Sequence, residues 1–107
     1  MKTYEGRREG YAALVTVNGR PLNPRLDLWN HSPTGFEWGY GGSGPAQLAL
    51  GILADHMDDG QALAVYQQFK CVVIAKLPKP AWKLTSRQID QALKEIRPPE
   101  VLAGGAE

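Results

Sequence analysis

The sequence predicts an α+β fold, in which a small antiparallel sheet of three or four strands packs against about three helices. Three observations support this prediction. Asn18-Gly19 lies between runs rich in β-branched residues and is a pair typical of a tight hairpin turn. Apolar residues recur at helical spacing between positions 62 and 73, and Thr85 with Gln88 matches a capping box. The strands are therefore expected in the N-terminal half and the helices in the C-terminal half.

The strands follow from the turn and from alternating patterns. The turn pair predicts a hairpin, and Pro21 should keep its second arm short because proline cannot donate to a sheet. Leu26 and Leu28 alternate with other residues, and Phe36 and Trp38 share one face of a short segment. The expected strands cover residues 3–7, 12–17, 20–22, 26–29 and 36–38.

The helices have recognisable starts. Pro45 suits the first position of a helix, and Ser43 or Gly44 is expected to cap it. An aspartate at 58 or 59 suits the N-cap of a second helix over residues 61–77, although the β-branched residues at 71–75 also suit a buried strand. The core face of this second helix should comprise Ala62, Val65, Tyr66, Phe69 and Val73. A third helix should follow Thr85 and end before Pro98-Pro99, which gives one domain over residues 1–97 and a loose tail over 98–107.

Composition excludes several classes of protein. The chain has 107 residues, 43% of them apolar and 21% charged, which is an ordinary globular balance. The net charge of +1 argues against a protein whose main role is neutralising phosphates. One cysteine, Cys71, and no apolar run of membrane length lead us to expect a cytoplasmic protein with no membrane contact. Two histidines and one cysteine show no metal-binding spacing, and we expect no metal or cofactor.

Residues 39–44, Gly-Tyr-Gly-Gly-Ser-Gly, match a dinucleotide-binding pattern between an expected strand and an expected helix. However, the chain is short for a dinucleotide fold, and Pro45 removes an N–H group that would face a phosphate. Pro45-Ala46 also stands where a nucleotide triphosphate loop needs lysine and a hydroxyl residue. A close-packed turn is the favoured interpretation, and a binding loop for a partner or a small polar ligand is the alternative.

Two sets of residues are candidates for binding. Aromatic residues and a histidine gather around the glycine run, where they suit a partner-binding surface but also suit a small core. These candidates are His31, Trp38, Tyr40, Gly41, Gly42 and Ser43. A basic segment with an aromatic residue suits nucleic acid but also suits a solvated helical face. Its candidates are Lys70, Lys76, Lys79, Trp82, Lys83 and Arg87.

The run NHSPTGFEWGYGGSGPAQLALGIL, residues 30–53, resembles a family of small bacterial and phage-borne proteins known only as a domain of unknown function. Further matches are Tyr4-x-Gly6-Arg7, Asn18-Gly19-x-Pro21-Leu22, Phe69-Lys70 and Trp82-x-Leu84. The resemblance implies a prokaryotic or mobile-element origin and a small protein that acts by binding another protein, such as part of a host defence system. We therefore expect a non-enzymatic protein-binding module. Ligand or phosphate binding at residues 39–44 and nucleic-acid binding at residues 70–97 are the alternatives.

Overall fold

The computed structural model describes residues 1–33 and 35–96 of the chain. It confirms the predicted α+β class: one antiparallel sheet and three α-helices share a single hydrophobic core. The elements in chain order are β1 (Thr3–Glu9), β2 (Ala12–Val17), β3 (Arg20–Pro21), α1 (Ser43–His56), α2 (Asp59–Val72), a 3₁₀ turn (Ile74–Lys76), β4 (Ala81–Thr85) and α3 (Ser86–Leu93). The strand order across the sheet is β3-β2-β1-β4, and all the pairings are antiparallel.

The predicted hairpin between β2 and β3 is present. Asn18 and Gly19 have φ values of 49° and 82°, which this type of two-residue turn requires. The second arm is only two residues long and ends at Pro21, as the proline predicts. On the other side of β2, strand β1 pairs in a register that places Tyr4 opposite Val17.

Strand β4 was not expected from the sequence. It pairs with β1 so that Trp82 lies opposite Gly6 and Leu84 lies opposite Tyr4. A Cβ atom on Gly6 would lie 2.3 Å from the indole nitrogen of Trp82, so the sheet needs glycine at this position. The first and last parts of the chain thus meet in one sheet.

Two expected strands do not form. Residues 26–28 make a turn, in which the Leu28 N–H donates to the Arg25 carbonyl. Arg25 has a φ of 56°, a left-handed conformation that breaks an extended run. Residues 36–38 are irregular and pair with no strand within the described residues, and Trp38 projects from them into the core.

Helix α1 lies at the centre of the core. Its ten residues from position 44 to position 53 are all buried, including the polar Gln47. A helix that is buried on all sides must pack against neighbours on every face, and α1 packs closely against α2. This arrangement explains why the segment shows no polar stripe in the sequence.

Helices α2 and α3 begin as predicted, but α2 ends early. The Asp58 side chain accepts a hydrogen bond from the Gln61 N–H, and Thr85 with Gln88 forms the complete capping box. Of the predicted core face, Ala62, Val65, Tyr66 and Phe69 are buried and Val73 is partly buried. The α-helix ends at Val72 and passes into the 3₁₀ turn, so neither a helix reaching residue 77 nor a strand at 71–75 is present. The expected tail over 98–107 lies outside the described residues.

Candidate functional site

The glycine run meets α1 two residues earlier than predicted, because Pro45 was expected to be the first helical residue. The helix begins at Ser43, and Gly42 occupies the N-cap position with extended backbone and no side-chain cap. The expectation that Ser43 or Gly44 caps the helix is therefore wrong. Pro45 is the third helical residue, where its missing N–H still costs nothing because the first-turn amides have no partner inside the helix.

Two glycines of the run are required by close packing. Gly39 has a φ of 86° and donates its N–H to the Ile74 carbonyl at 3.0 Å. A Cβ atom on Gly39 would lie 2.8 Å from the side chain of Lys79, and one on Gly44 would lie 2.8 Å from the Cβ of Glu37. These contacts support the interpretation of the run as a packed turn that places α1 against its neighbours.

The same contacts do not favour a phosphate site. The Gly39 amide is already bonded, and Pro45 has no N–H to offer. The Cβ and Cγ atoms of Glu37 pack against Gly44 in the first turn of α1, so this end of the helix already contacts another segment of the chain. This disfavours the phosphate alternative for residues 39–44.

Gln47 organises the loop that precedes the run, a role that was not predicted from the sequence. Its side-chain oxygen accepts hydrogen bonds from the N–H groups of His31 and Ser32, at 2.7 and 3.0 Å. Its side-chain nitrogen donates to the carbonyls of Pro24 and Trp29, at 2.6 and 3.0 Å. One buried amide therefore holds a loop of irregular backbone on the surface of α1. A lone glutamine inside the apolar run 45–53 was the available signal.

His31 is held by α2 rather than directed toward a ligand. Its Nε2 lies 2.6 Å from the Tyr66 hydroxyl, and its ring lies between those of Trp29 and Tyr66. Burial lowers the pKa of His31 below its usual value, and the positive charge of Lys70 lowers it further. The neutral imidazole thus connects the loop to α2. This contact favours a structural role over catalysis.

Trp38 does not belong to a surface. Its side chain is 0% exposed, and its Nε1 donates to the Lys79 carbonyl at 3.0 Å. Its ring meets that of Trp82 edge to face, with 5.6 Å between centroids, and the Arg8 guanidinium lies 4.4 Å from the ring centre. The prediction that Trp38 contributes to an exposed binding surface is wrong, because the irregular 36–38 segment turns this ring into the core.

Tyr40 is exposed and borders a groove. The groove has a volume of about 590 Å³ and runs between the start of β2 and the loop that leads into α1. Residues 12–14 line one side, and Phe36, Glu37 and Ser43 line the other together with Tyr40. Tyr11, at the tip of the β1–β2 hairpin, also lines it and is fully exposed. We call this feature the Tyr11–Tyr40 groove.

The remaining candidates near the run lie at or beside this groove. Ser43 is exposed and lines it, and Gly41 is exposed with open space around it. The Tyr40 ring lies over Gly42, where a Cβ atom would come within 2.7 Å of the ring. Of the predicted binding residues, Tyr40 and Ser43 line this groove. Tyr11, which lies about thirty positions away on the hairpin tip, was not predicted.

The basic candidates are distributed over several elements. Lys70 lies in α2, Lys76 in the 3₁₀ turn, Lys79 in the following loop, Lys83 in β4 and Arg87 in α3. The aromatic residue among them, Trp82, is only 6% exposed and packs on Gly6, so its ring cannot stack on a base. The prediction of Trp82 as a stacking residue is wrong. Lys83 also forms an ion pair with Glu5, at 3.2 Å, on the sheet surface.

The described part of the chain holds neither a metal-binding cluster nor a membrane-spanning helix. No cluster of three or more His, Cys, Asp or Glu side chains could hold a metal ion. No helix in residues 1–33 and 35–96 is long and apolar enough to cross a bilayer.

The fold and the groove define a small α+β protein with a four-stranded sheet and a central helix whose residues 44–53 are all buried. The chain belongs to the Family of unknown function (DUF6166), whose model matches residues 4–95. The matched segment extends from the first strand to the end of the last helix. Comparisons with curated proteins and with solved structures give no match.

Proposed function

We propose that this chain is a non-enzymatic protein-binding module that contacts its partner through the Tyr11–Tyr40 groove. One observation carries the proposal: two exposed tyrosines border a groove that the fold leaves open between its sheet and its central helix. Tyr11 is fully exposed and Tyr40 is 46% exposed. Tyrosine is enriched at protein interfaces because its ring supplies a large apolar area and its hydroxyl a hydrogen bond.

The partner is proposed to be a protein of a host cell, such as a component of a defence system. The likeness of residues 30–53 to small bacterial and phage-borne proteins favours that class. We place the interaction in the cytoplasm, because the single cysteine, Cys71, is free and exposed, which suits a reducing compartment.

Site-specific crosslinking tests the proposal. A photoreactive phenylalanine analogue placed at position 40 or 11 should capture a specific protein from a bacterial lysate. The matched control carries the same group at Leu63, which is also partly exposed but lies on α2 outside the groove. Capture at positions 40 and 11 but not at 63 is the expected result.

Truncation of the tyrosines then measures their contribution. Tyr11→Ala and Tyr40→Ala should each weaken binding of the captured protein about tenfold or more, as truncation of a central aromatic anchor does. Leu63→Ala should leave binding unchanged. Equal binding by all three variants, or crosslinking that does not depend on position, would contradict the assignment of the groove.

A further inference from the structure

The edge of the sheet beside the groove is uncovered. Strand β3 pairs with β2 only at Thr16 and Val17, and the Val15 carbonyl accepts the Leu22 N–H just beyond it. Residues 12–14 of β2 extend further, along the groove, and no strand pairs with their outer edge in residues 1–33 and 35–96. The first half of β2 is thus an edge strand, although its second half lies inside the sheet.

The pairing pattern shows which backbone groups this edge presents. In an antiparallel ladder, successive residues direct their N–H and C=O groups to opposite neighbours. The Val15 carbonyl faces β3, away from β1, as its bond to Leu22 shows. Ala13, two residues earlier, therefore directs its N–H and C=O groups outward on the same side, into the groove. No hydrogen bond from the described residues satisfies them there.

The opposite side of the groove offers aromatic surface among polar groups and no unpaired charge. Phe36 and Tyr40 provide the aromatic surface. The one carboxylate on this side, Glu37, is neutralised by Arg8, whose guanidinium lies 3.0 Å from it. The groove therefore offers no unpaired charge that would favour a charged side chain over a neutral one.

We propose that the groove binds an extended segment of a partner protein, which adds to the sheet as a strand beside residues 12–14 and pairs with the Ala13 backbone. This inference rests on the proposed protein-binding function and names its partner as an extended, uncharged strand with apolar residues at alternate positions. Strand addition to a sheet edge is a recurring mode of peptide recognition, in which the backbone supplies affinity and alternate side chains supply specificity.

The dimensions indicate a short segment. The uncovered edge from Ala12 to Leu14 is three residues long, and a strand advances about 3.3 Å per residue, so about three partner residues pair with it. Alternate side chains of that segment point to opposite faces of the sheet. Those on the inner face meet Phe36 and Tyr40.

Amide exchange of the protein alone tests the premise. The Ala13 N–H faces the groove and should exchange with solvent quickly, whereas the Leu14 N–H is within the β1–β2 pairing and should be protected. Slow exchange at Ala13, comparable with that at Leu14, would mean that the edge is already covered and would overturn the inference.

Selection from a displayed library of linear 12-residue peptides tests the occupant. Selected binders should carry alternating apolar residues and should protect the Ala13 amide in the complex. They should bind Ala13→Ser as tightly as the wild-type chain, since serine keeps the N–H group. They should bind Ala13→Pro at least tenfold more weakly, because proline lacks the donor yet is tolerated where a strand N–H faces solvent.

Ala13→Pro must first show the circular dichroism spectrum of the wild type. If it does not fold, protection of the Ala13 amide by bound peptide decides instead. A library that yields no binder, or a binder that leaves Ala13 unprotected, overturns the inference. If the protein captured by crosslinking still requires Tyr40 for binding, the proposed function stands without strand addition. If that protein requires neither Tyr40 nor Ala13, the proposed function and the strand addition both fail.

Discussion

Gly6→Ala is the substitution whose effect the structure defines most closely. The new Cβ atom would lie 2.3 Å from Nε1, 2.4 Å from Cε2 and 2.8 Å from Cζ2 of Trp82. Ordinary contacts between such atoms are about 3.5 to 4.0 Å, so three atoms of one ring are about 1 Å too close. The ring is buried and packs edge to face against Trp38, so a shift toward that side would displace a second indole.

We expect Gly6→Ala to lower the free energy of unfolding by about 3 kcal/mol, the upper part of the range for overpacked cores. In urea, with a slope of about 1.5 kcal/mol per molar, the midpoint should fall by about 2 M. Gly41→Ala is the matched control, because its Cβ would meet nothing within 4 Å. It should change stability by less than about 0.5 kcal/mol.

A double-mutant cycle identifies the cause. Trp82→Leu removes the three atoms that the new methyl group meets, so Gly6→Ala should be less costly in that background by at least about 1.5 kcal/mol. An equal cost in both backgrounds would refute the contact as the reason. It would point to β1 backbone effects that do not involve the indole.

Three other perturbations have expected outcomes. Gln47→Leu should lower the free energy of unfolding by about 3 kcal/mol in thermal or urea denaturation, because it leaves two backbone donors and two carbonyls without their partner; a loss under about 1 kcal/mol would contradict this. Because the folded-state pKa of His31 is lowered, its contribution to stability is fully present above about pH 6.5 and is lost as the pH falls below that value. His31→Asn should therefore lose less stability than the wild type between about pH 7.5 and about pH 5.5. If the unfolding free energies of the two proteins fall in parallel with pH, His31 is not the cause of the pH dependence. Trp38→Phe should cost about 1 kcal/mol more than Trp82→Phe, because Nε1 of Trp38 is hydrogen-bonded whereas that of Trp82 has no partner within the described residues; the reverse order in urea unfolding would argue against it.

Features that depend on neighbouring residues were predictable. The turn at Asn18, the Asp58 cap and the capping box at Thr85 each involve groups no more than three positions apart. Their physical causes, a left-handed backbone and unsatisfied helix amides, act locally. The core face of α2 was likewise predictable, because one helix displays it at regular spacing.

Features that depend on distant contacts were not predictable in the same way. Strand β4 exists because it pairs with β1, which places Leu84 opposite Tyr4 across 80 positions of chain. The expected strand at 26–29 fails because Arg25 adopts a left-handed turn and forms ion pairs with Asp27 and Asp59. The pairing depends on residues from another part of the fold, and the turn joins local contacts with an ion pair to the distant Asp59, so neither shows as a regular alternation in the sequence.

The candidate site shows the same division between local and distant causes. An aromatic cluster near a loop suits both a core and an interface, and the fold separates its members: Trp38 is buried and Tyr40 is exposed. The glycines produce this separation. Gly39 turns the chain and fixes it to Ile74, and Gly42 leaves room for the Tyr40 ring to lie over the backbone beside the groove. The run therefore contributes to the proposed site by directing a side chain, with no need for its own amides to hold a ligand.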